Sequence, residues 1–175
     1  MNTFEFTLRY VLLEPNAQIG PIVESLGRNG CDDALVGIGQ PGRVALNFTR
    51  EALCAREAVF SAVADASRAM PGAELVEASP DLVGLTDIAE IMGFSRQNMR
   101  KLIMPGCAGG PAPVHESRPS LWHLGPVLVW LRDERGYVIS ADLIGLAQVT
   151  MQLNLALGMT LVDPELQREI RAVLV

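Results

Sequence analysis

Residues 85–104 read Leu-Thr-Asp-Ile-Ala-Glu-Ile-Met-Gly-Phe-Ser-Arg-Gln-Asn-Met-Arg-Lys-Leu-Ile-Met, and this stretch decides how the rest of the chain is understood. Thr86 suits the N-cap of a short helix through Met92, with Asp87 and Glu90 in its first turns, where carboxylates favour the positive end of the helix dipole. Gly93 falls where a tight turn needs a left-handed residue, a conformation that glycine adopts without a Cβ penalty. Ser95 suits the cap of a second helix, which runs to about Met104 before Pro105-Gly106 stops it. Ile88, Met92, Phe94, Met99 and Leu102 supply a shared apolar core, and Ala89 is small where two helices must cross closely. The exposed positions of the second helix, cap included, are then Ser95, Arg96, Gln97, Arg100 and Lys101, with Asn98 beside them.

This arrangement resembles the helix-turn-helix of DNA-binding proteins. The match lies in the small residue of the first helix, the turn glycine four residues later and the apolar supporting positions. The resemblance implies that the second helix enters the major groove of duplex DNA. There Arg96 and Arg100 pair bidentately with guanine, and Gln97 and Asn98 with adenine. Ser95 is placed to donate to a phosphate at the helix start. Such units also occur as plain packing motifs with a solvated polar face. Charge favours a reading face here: Lys101, the only lysine of the chain, shares it with two arginines and an amide pair in an otherwise acidic protein.

The next residues extend the likeness. Pro113-Val114 starts an extended stretch, Leu121-Trp122 closes a hairpin, and residues 127–135 read as a helix with Val127, Leu128, Trp130 and Leu131 as its apolar set. Pro111, Pro113, Trp122 and the run Val127-Leu128-Val129-Trp130-Leu131 resemble the winged helix-turn-helix of excisionase-like and MerR-like regulators, over about residues 82–135. That resemblance implies a two-stranded wing offering Arg118, His115 and His123, and it adds Arg118 to the DNA-facing set.

Upstream, strands and helices alternate. Phe4, Phe6, Leu8, Tyr10 and Leu12 alternate with Glu5, Thr7 and Arg9, the period of a half-buried strand. Ile19, Ile22, Val23 and Leu26 recur at helical spacing until Gly27 and Gly30. Residues 34–38 and 44–49 read as strands joined through Gly39-Gln40-Pro41-Gly42. Val59, Ala62, Val63, Ala66 and Met70 form the stripe of another helix, closed by Pro71-Gly72, and residues 74–78 supply a last strand. The order β-α-β-β-α-β resembles a ferredoxin-like domain, a likeness of topology that brings no function with it. Gly37, Gly39 and Gly42 lack the spacing of a phosphate loop and precede a strand, so a hairpin turn accounts for them.

Downstream, Ser140 caps a helix to about Leu157 whose apolar residues fall on two lines, Ile144-Ala147-Met151-Leu155 and Leu146-Val149-Leu153-Leu157. Only a strip near Gly145, Gln148 and Gln152 is polar, so the helix needs two covering surfaces. Asp163-Pro164 starts a final helix with Leu166, Ile170, Val173 and Leu174 facing inward. The pair either covers its own wing domain or forms a homodimer interface. The second is preferred, because a dimer doubles the few phosphate contacts of each module.

Composition bounds the function. Fourteen basic against 20 acidic side chains give a net charge of −6 over 175 residues, which excludes coating nucleic acid by bulk charge and confines DNA contact to a local face. Residues 1–80 carry −4, residues 81–139 zero and residues 140–175 −2. Cys31, Cys54 and Cys107 are too few and too scattered for a disulfide framework, and no signal peptide is evident, so a cytoplasmic location is expected. The apolar run 143–157 is broken by Gln148, Gln152 and Asn154 and falls short of the ~20 residues of a membrane span. Cys107, His115 and His123 lack the close ligand pair of zinc sites. No nucleophile elbow, HExxH or Walker loop is present, and Asp32-Asp33 and Glu165/Glu169 read as solvated acidic faces. No catalytic residue, metal or cofactor is therefore expected.

The expectation is an α+β protein in three parts. A ferredoxin-like domain (1–80) serves dimerisation, sensing or partner binding, a winged helix-turn-helix (81–139) binds DNA, and a C-terminal helical pair (140–175) associates. The function expected is that of a dimeric, sequence-specific transcriptional regulator. The alternative is an antitoxin-like or phage-associated adaptor that holds a basic protein partner through residues 1–80, its DNA binding secondary or autoregulatory.

Overall fold

Alternation at the N-terminus builds a sheet. In the computed structural model, which describes residues 1–103 and 110–174, β1 (Asn2–Val11) lies between β3 (Arg43–Ala52) and β4 (Glu74–Ser79), and β2 (Ala34–Gln40) forms the other edge. The order is β2-β3-β1-β4 and every neighbouring pair is antiparallel. The register sets Phe6 opposite Phe48 and Leu8 opposite Leu46. Phe4, Phe6, Leu8 and Tyr10 therefore share one buried face with Val44, Leu46 and Phe48, and the Phe6 and Phe48 rings stack with centroids 5.2 Å apart. That face is covered by α1 (Ile19–Arg28) and α2 (Ala55–Ala69), whose Ala58, Ala62 and Ala66 are buried. On the opposite face Glu5, Arg9 and Asn47 are exposed, as is Leu35.

One charge belongs to the buried face. Arg50 continues the inward phase of β3 and is 7% exposed. Its Nε and Nη2 donate to the two oxygens of Asp33 at 2.7 and 2.9 Å, its Nη1 to Asp65 Oδ2 at 2.8 Å and Ser61 Oγ at 3.0 Å, and Nη2 also to Gly30 O at 2.6 Å. Asp32 is exposed as expected, but Asp33 is not on a solvated face: it is half-buried against this guanidinium.

Cys31 lies in the same core. Burial, reinforced by the Asp65 carboxylate, pushes its thiol up to about 11 from an ordinary 9.0. Burial also raises the Tyr10 phenol, whose oxygen has no hydrogen-bond partner among the described residues. The folded chain thus holds the thiol proton more tightly than the unfolded one. The associated stabilisation is fully present below about pH 9 and is lost as the pH rises through about 11. Urea midpoints are expected to fall over that window, and Cys31→Ala is expected to flatten the lower part of the fall. Parallel pH profiles for the two proteins would show that the thiol is not responsible.

After β4 a second core forms. The short strands β5 (Leu82–Val83) and β6 (Trp122–His123) pair antiparallel. Between them lie α3 (Leu85–Met92) and α4 (Arg96–Ile103), and α5 (Leu124–Asp133) follows. Ile88, Ala89, Met99, Val127, Leu128 and Leu131 are buried together. Gly93 ends α3 at φ +67°, as its position requires. The cap of α3 differs from expectation: it is Gly84, not Thr86, and Asp87 Oδ2 accepts the Gly84 N–H at 2.7 Å. Glycine has no side chain to accept an N–H of the first turn; the N3 carboxylate of Asp87 secures the helix start from the other side, by accepting the cap's own N–H. α5 starts at Leu124 rather than 127, with Pro126 in its first turn, where no intrahelical N–H bond is lost. Leu121 closes the hairpin as expected, through its bridge to His115, whereas Trp122 pairs with Val83. The expected end of α4 at Met104, the stop at Pro105-Gly106 and Cys107 lie outside the described residues.

The helix α6 (Ala141–Met159), capped by Ser140 Oγ accepting the Asp142 N–H at 3.2 Å, joins the two cores. Leu146, Val149 and Leu153 pack with the sheet, while Ile144 and Ala147 belong to the second core, where α6 lies against α5. This chain therefore covers the first turns of both apolar lines, at Ile144, Leu146 and Ala147, while Leu155 stays exposed. Within the segment 140–175, Ile144, Leu146, Ala147 and Thr150 of α6 are buried in this chain, whereas Leu155 and Met159 are exposed. Only α7 (Pro164–Val173) stands off. Its cap is as expected, Asp163 Oδ1 accepting the N–H groups of Glu165 and Leu166 at 2.8 and 3.2 Å. Its apolar residues turn inward only in part: Ile170 is half-buried, whereas Leu166, Val173 and Leu174 are exposed. Together with the sheet, seven helices among the described residues make this an α+β protein. No single helix among the described residues is long and apolar enough to cross a membrane.

Candidate nucleic-acid interface

The exposed face of α4 follows from its buried one. Met99 and Ile103, four residues apart, are buried in the second core, which leaves Arg96, Gln97, Asn98, Arg100 and Lys101 exposed. At 3.6 residues per turn, Gln97 and Lys101 form the outermost ridge and Arg96 and Arg100 the ridge beside it. Ser95 Oγ accepts the Asn98 N–H at 3.2 Å, so this hydroxyl caps α4 and keeps its own proton for an acceptor at the helix start.

The hairpin brings in the third arginine. Leu121 N–H donates to His115 O at 3.0 Å and Val114 N–H to Leu121 O at 2.9 Å, which closes the loop 116–120. Ser120 Oγ donates to Ser117 O at 3.0 Å across its tip, and Trp122 Nε1 donates to Pro111 O at 3.0 Å at its base. With the tip so held, Arg118 shares a cleft of about 820 Å³ with Arg96 and Arg100. Thr86 at the start of α3 and the wing serines Ser117 and Ser120 also line it. Asp87 is the one carboxylate there, and it accepts the Gly84 N–H, so three guanidinium groups dominate the charge of the cleft on a chain of net −6.

Gln97, Asn98 and Lys101 are on the exposed face of α4 but do not line this cleft. His115 is exposed on the hairpin, whereas His123 is withdrawn from it. His123 Nδ1 meets Asp81 Oδ1 at 2.6 Å. Among the described residues no group of three His, Cys, Asp or Glu side chains could hold a metal ion. Thr86, Ser117 and Ser120 are the cleft residues that sequence reasoning missed. Assigning Thr86 as a cap hid its exposure, and a polar tip flanking Arg118-Pro119 was the available signal for the serines. No family model, curated protein or solved structure matches the chain.

Proposed function

We propose that this chain is a sequence-specific DNA-binding regulator of transcription, acting in the cytoplasm as a homodimer, with α4 in the major groove and the wing against the flanking backbone. The observation that carries this reading is the convergence of Arg96, Arg100 and Arg118, from a helix and a hairpin, on one cleft open to solvent. The succession α3, turn, α4, hairpin, α5, with β5 pairing back onto β6, supports a winged helix-turn-helix in residues 81–139. The sheet order β2-β3-β1-β4 with two helices on one face supports a ferredoxin-like unit in residues 1–80. In this reading Arg96 and Arg100 take guanine edges and Gln97 and Asn98 adenine edges, while Lys101, Arg118 and Ser95 hold phosphates. The acidic remainder suppresses non-specific adhesion. A two-fold dimer places its half-sites about 34 Å apart or a multiple of it.

Selection from a random duplex pool is expected to enrich a two-fold symmetric motif. The double variant Arg96→Ala/Arg100→Ala is expected to lose that motif and at least about tenfold in affinity. Arg118→Ala instead weakens binding evenly across sequences and makes the log–log salt dependence shallower by about 0.9 for each phosphate contact removed. A pool without enrichment, or binding indifferent to these changes, would overturn the reading.

A further inference from the structure

The helix α7 gains little from its own chain, in which only Gln167 and Ile170 are half-buried. Isolated helices shorter than about 12–15 residues are marginal in water, yet α7 has ten residues, a side-chain cap and none of its residues buried. Leu166, Ile170 and Val173 recur at i, i+4 and i+7, which makes one apolar stripe. Glu165 and Glu169 form an acidic shoulder on one side of that stripe, and Gln167 and Arg171 flank the other. The axis of α7 departs from that of α6 by 113°, so the stripe does not lie back along α6.

The body of the molecule offers a matching surface. Between α2 and α6 runs an apolar groove of about 510 Å³, lined by Ala55, Phe60, Val149 and Leu153. Phe60 is 51% exposed there, an aromatic ring left half uncovered on a helix whose other face is buried alanine. Arg56 lies over that ring at 5.4 Å and has no carboxylate partner among the described residues. The groove is bordered on the α6 side by Gln148 and Gln152, and Cys54 also lines it.

We propose that the occupant is α7 of a second copy. Each copy sends its C-terminal helix into the α2/α6 groove of the other, giving an arm-exchanged homodimer about a two-fold axis. Charge fixes the orientation: the stripe lies on the groove floor, Glu165 and Glu169 meet Arg56, and Gln167 and Arg171 meet the two glutamines. This deepens the dimeric reading above and rests on it for its purpose, which is to present two α4 helices together.

The test uses the full-length protein without DNA. Sedimentation equilibrium is expected to give a dimer, and Ile170→Glu and Phe60→Glu are each expected to raise its dissociation constant at least about tenfold, the scale of losing one buried anchor. Both side chains are partly or largely solvent-exposed in the single chain, so circular dichroism is expected to be unchanged. In Ile170→Cys protein, mild oxidation is expected to join position 170 of one copy to Cys54 of the other, as mapped by peptide mass spectrometry. Adding Cys54→Ser is expected to remove that link. A wild-type monomer, a crosslink within one chain, or a crosslink between the two 170 positions would overturn the arrangement. A crosslink in the wrong place leaves the DNA reading untouched, a wild-type monomer removes its homodimer but not base reading by α4, and a correctly crosslinked dimer that enriches no duplex would strike the DNA reading alone.

Discussion

Replacing Arg50 with methionine is expected to cost about 3–5 kcal/mol of folding stability, the range for removing one partner of a buried charge network. Urea denaturation reads the loss directly. The guanidinium makes five hydrogen bonds from its five N–H groups, to Asp33, Asp65, Ser61 and Gly30 O. Methionine matches much of the volume but leaves two partly buried carboxylates facing one another. Arg68 also pairs with Asp65 from the surface and remains in the variant, so the lower half of the range is the better expectation. Lysine does not rescue, because a point charge with three donors cannot reproduce the planar fork on Asp33. Asp33→Asn and Asp65→Asn, added to Arg50→Met, are expected to recover part of the loss, which separates stranded charge from lost packing. A loss below about 1 kcal/mol would mean that solvent satisfies these carboxylates without the arginine.

Only half of that network is legible in the sequence. Arg50 falls in phase with Val44, Leu46 and Phe48, and a charge at an inward position of a strand signals burial with a partner. The partner is another matter. Asp33 lies 17 residues away on the neighbouring strand's approach, and its own surroundings, Cys-Asp-Asp-Ala, are those of a solvated turn. The same division runs through the rest of the chain. Gly93, Ser95 and Ala89 are readable because each is decided within one helical turn: a left-handed exit, an acceptor for an N–H three residues on, a small side chain at a crossing. Thr86 is misread by the same logic, since Asp87 offers the chain a second local solution and wins. The two apolar lines of α6 state that two surfaces cover the helix, but period alone cannot say whose they are. At the interface, Arg96 and Arg100 follow from helical spacing. Their meeting with Arg118 depends on a hairpin with one isolated bridge and on a two-residue ladder, both too short to leave an alternating pattern.

The strongest tie between the two units is likewise silent in the sequence, and it supports the second large prediction. Asn154 on α6 accepts the Ala78 N–H through Oδ1 at 2.7 Å, and its Nδ2 donates to Ala78 O and to Asp81 Oδ2, both at 2.7 Å. One side-chain amide therefore stands where the peptide group of a further strand would, satisfying both polar groups of the β4 edge at Ala78. Asp81, only 1% exposed, passes the connection on to His123 at the base of the wing. One turn earlier on α6, Thr150 donates to Pro80 O. A single turn of helix thus fastens the sheet edge, the link between units and the wing. Asn154→Leu keeps the size of the side chain and removes every one of its bonds. It strands an N–H, a carbonyl and a carboxylate oxygen, each costing about 1–3 kcal/mol when buried and unmet, so a loss of about 3 kcal/mol or more is expected in urea denaturation. Asn154→Asp retains the acceptor for Ala78 but loses both donors and sets a second carboxylate beside Asp81, so it is expected to be no milder. The consequence reaches function because α2 and α6 carry the proposed dimer groove while His123 carries the wing. Loosening this tie loosens the spacing between the two α4 helices without touching Arg96, Arg100 or Arg118. Under conditions where Asn154→Leu remains folded, it is therefore expected to lose more affinity for a two-half-site duplex than for an isolated half-site. Equal losses on the two duplexes would show that the tie stabilises the fold without setting the spacing of the reading heads.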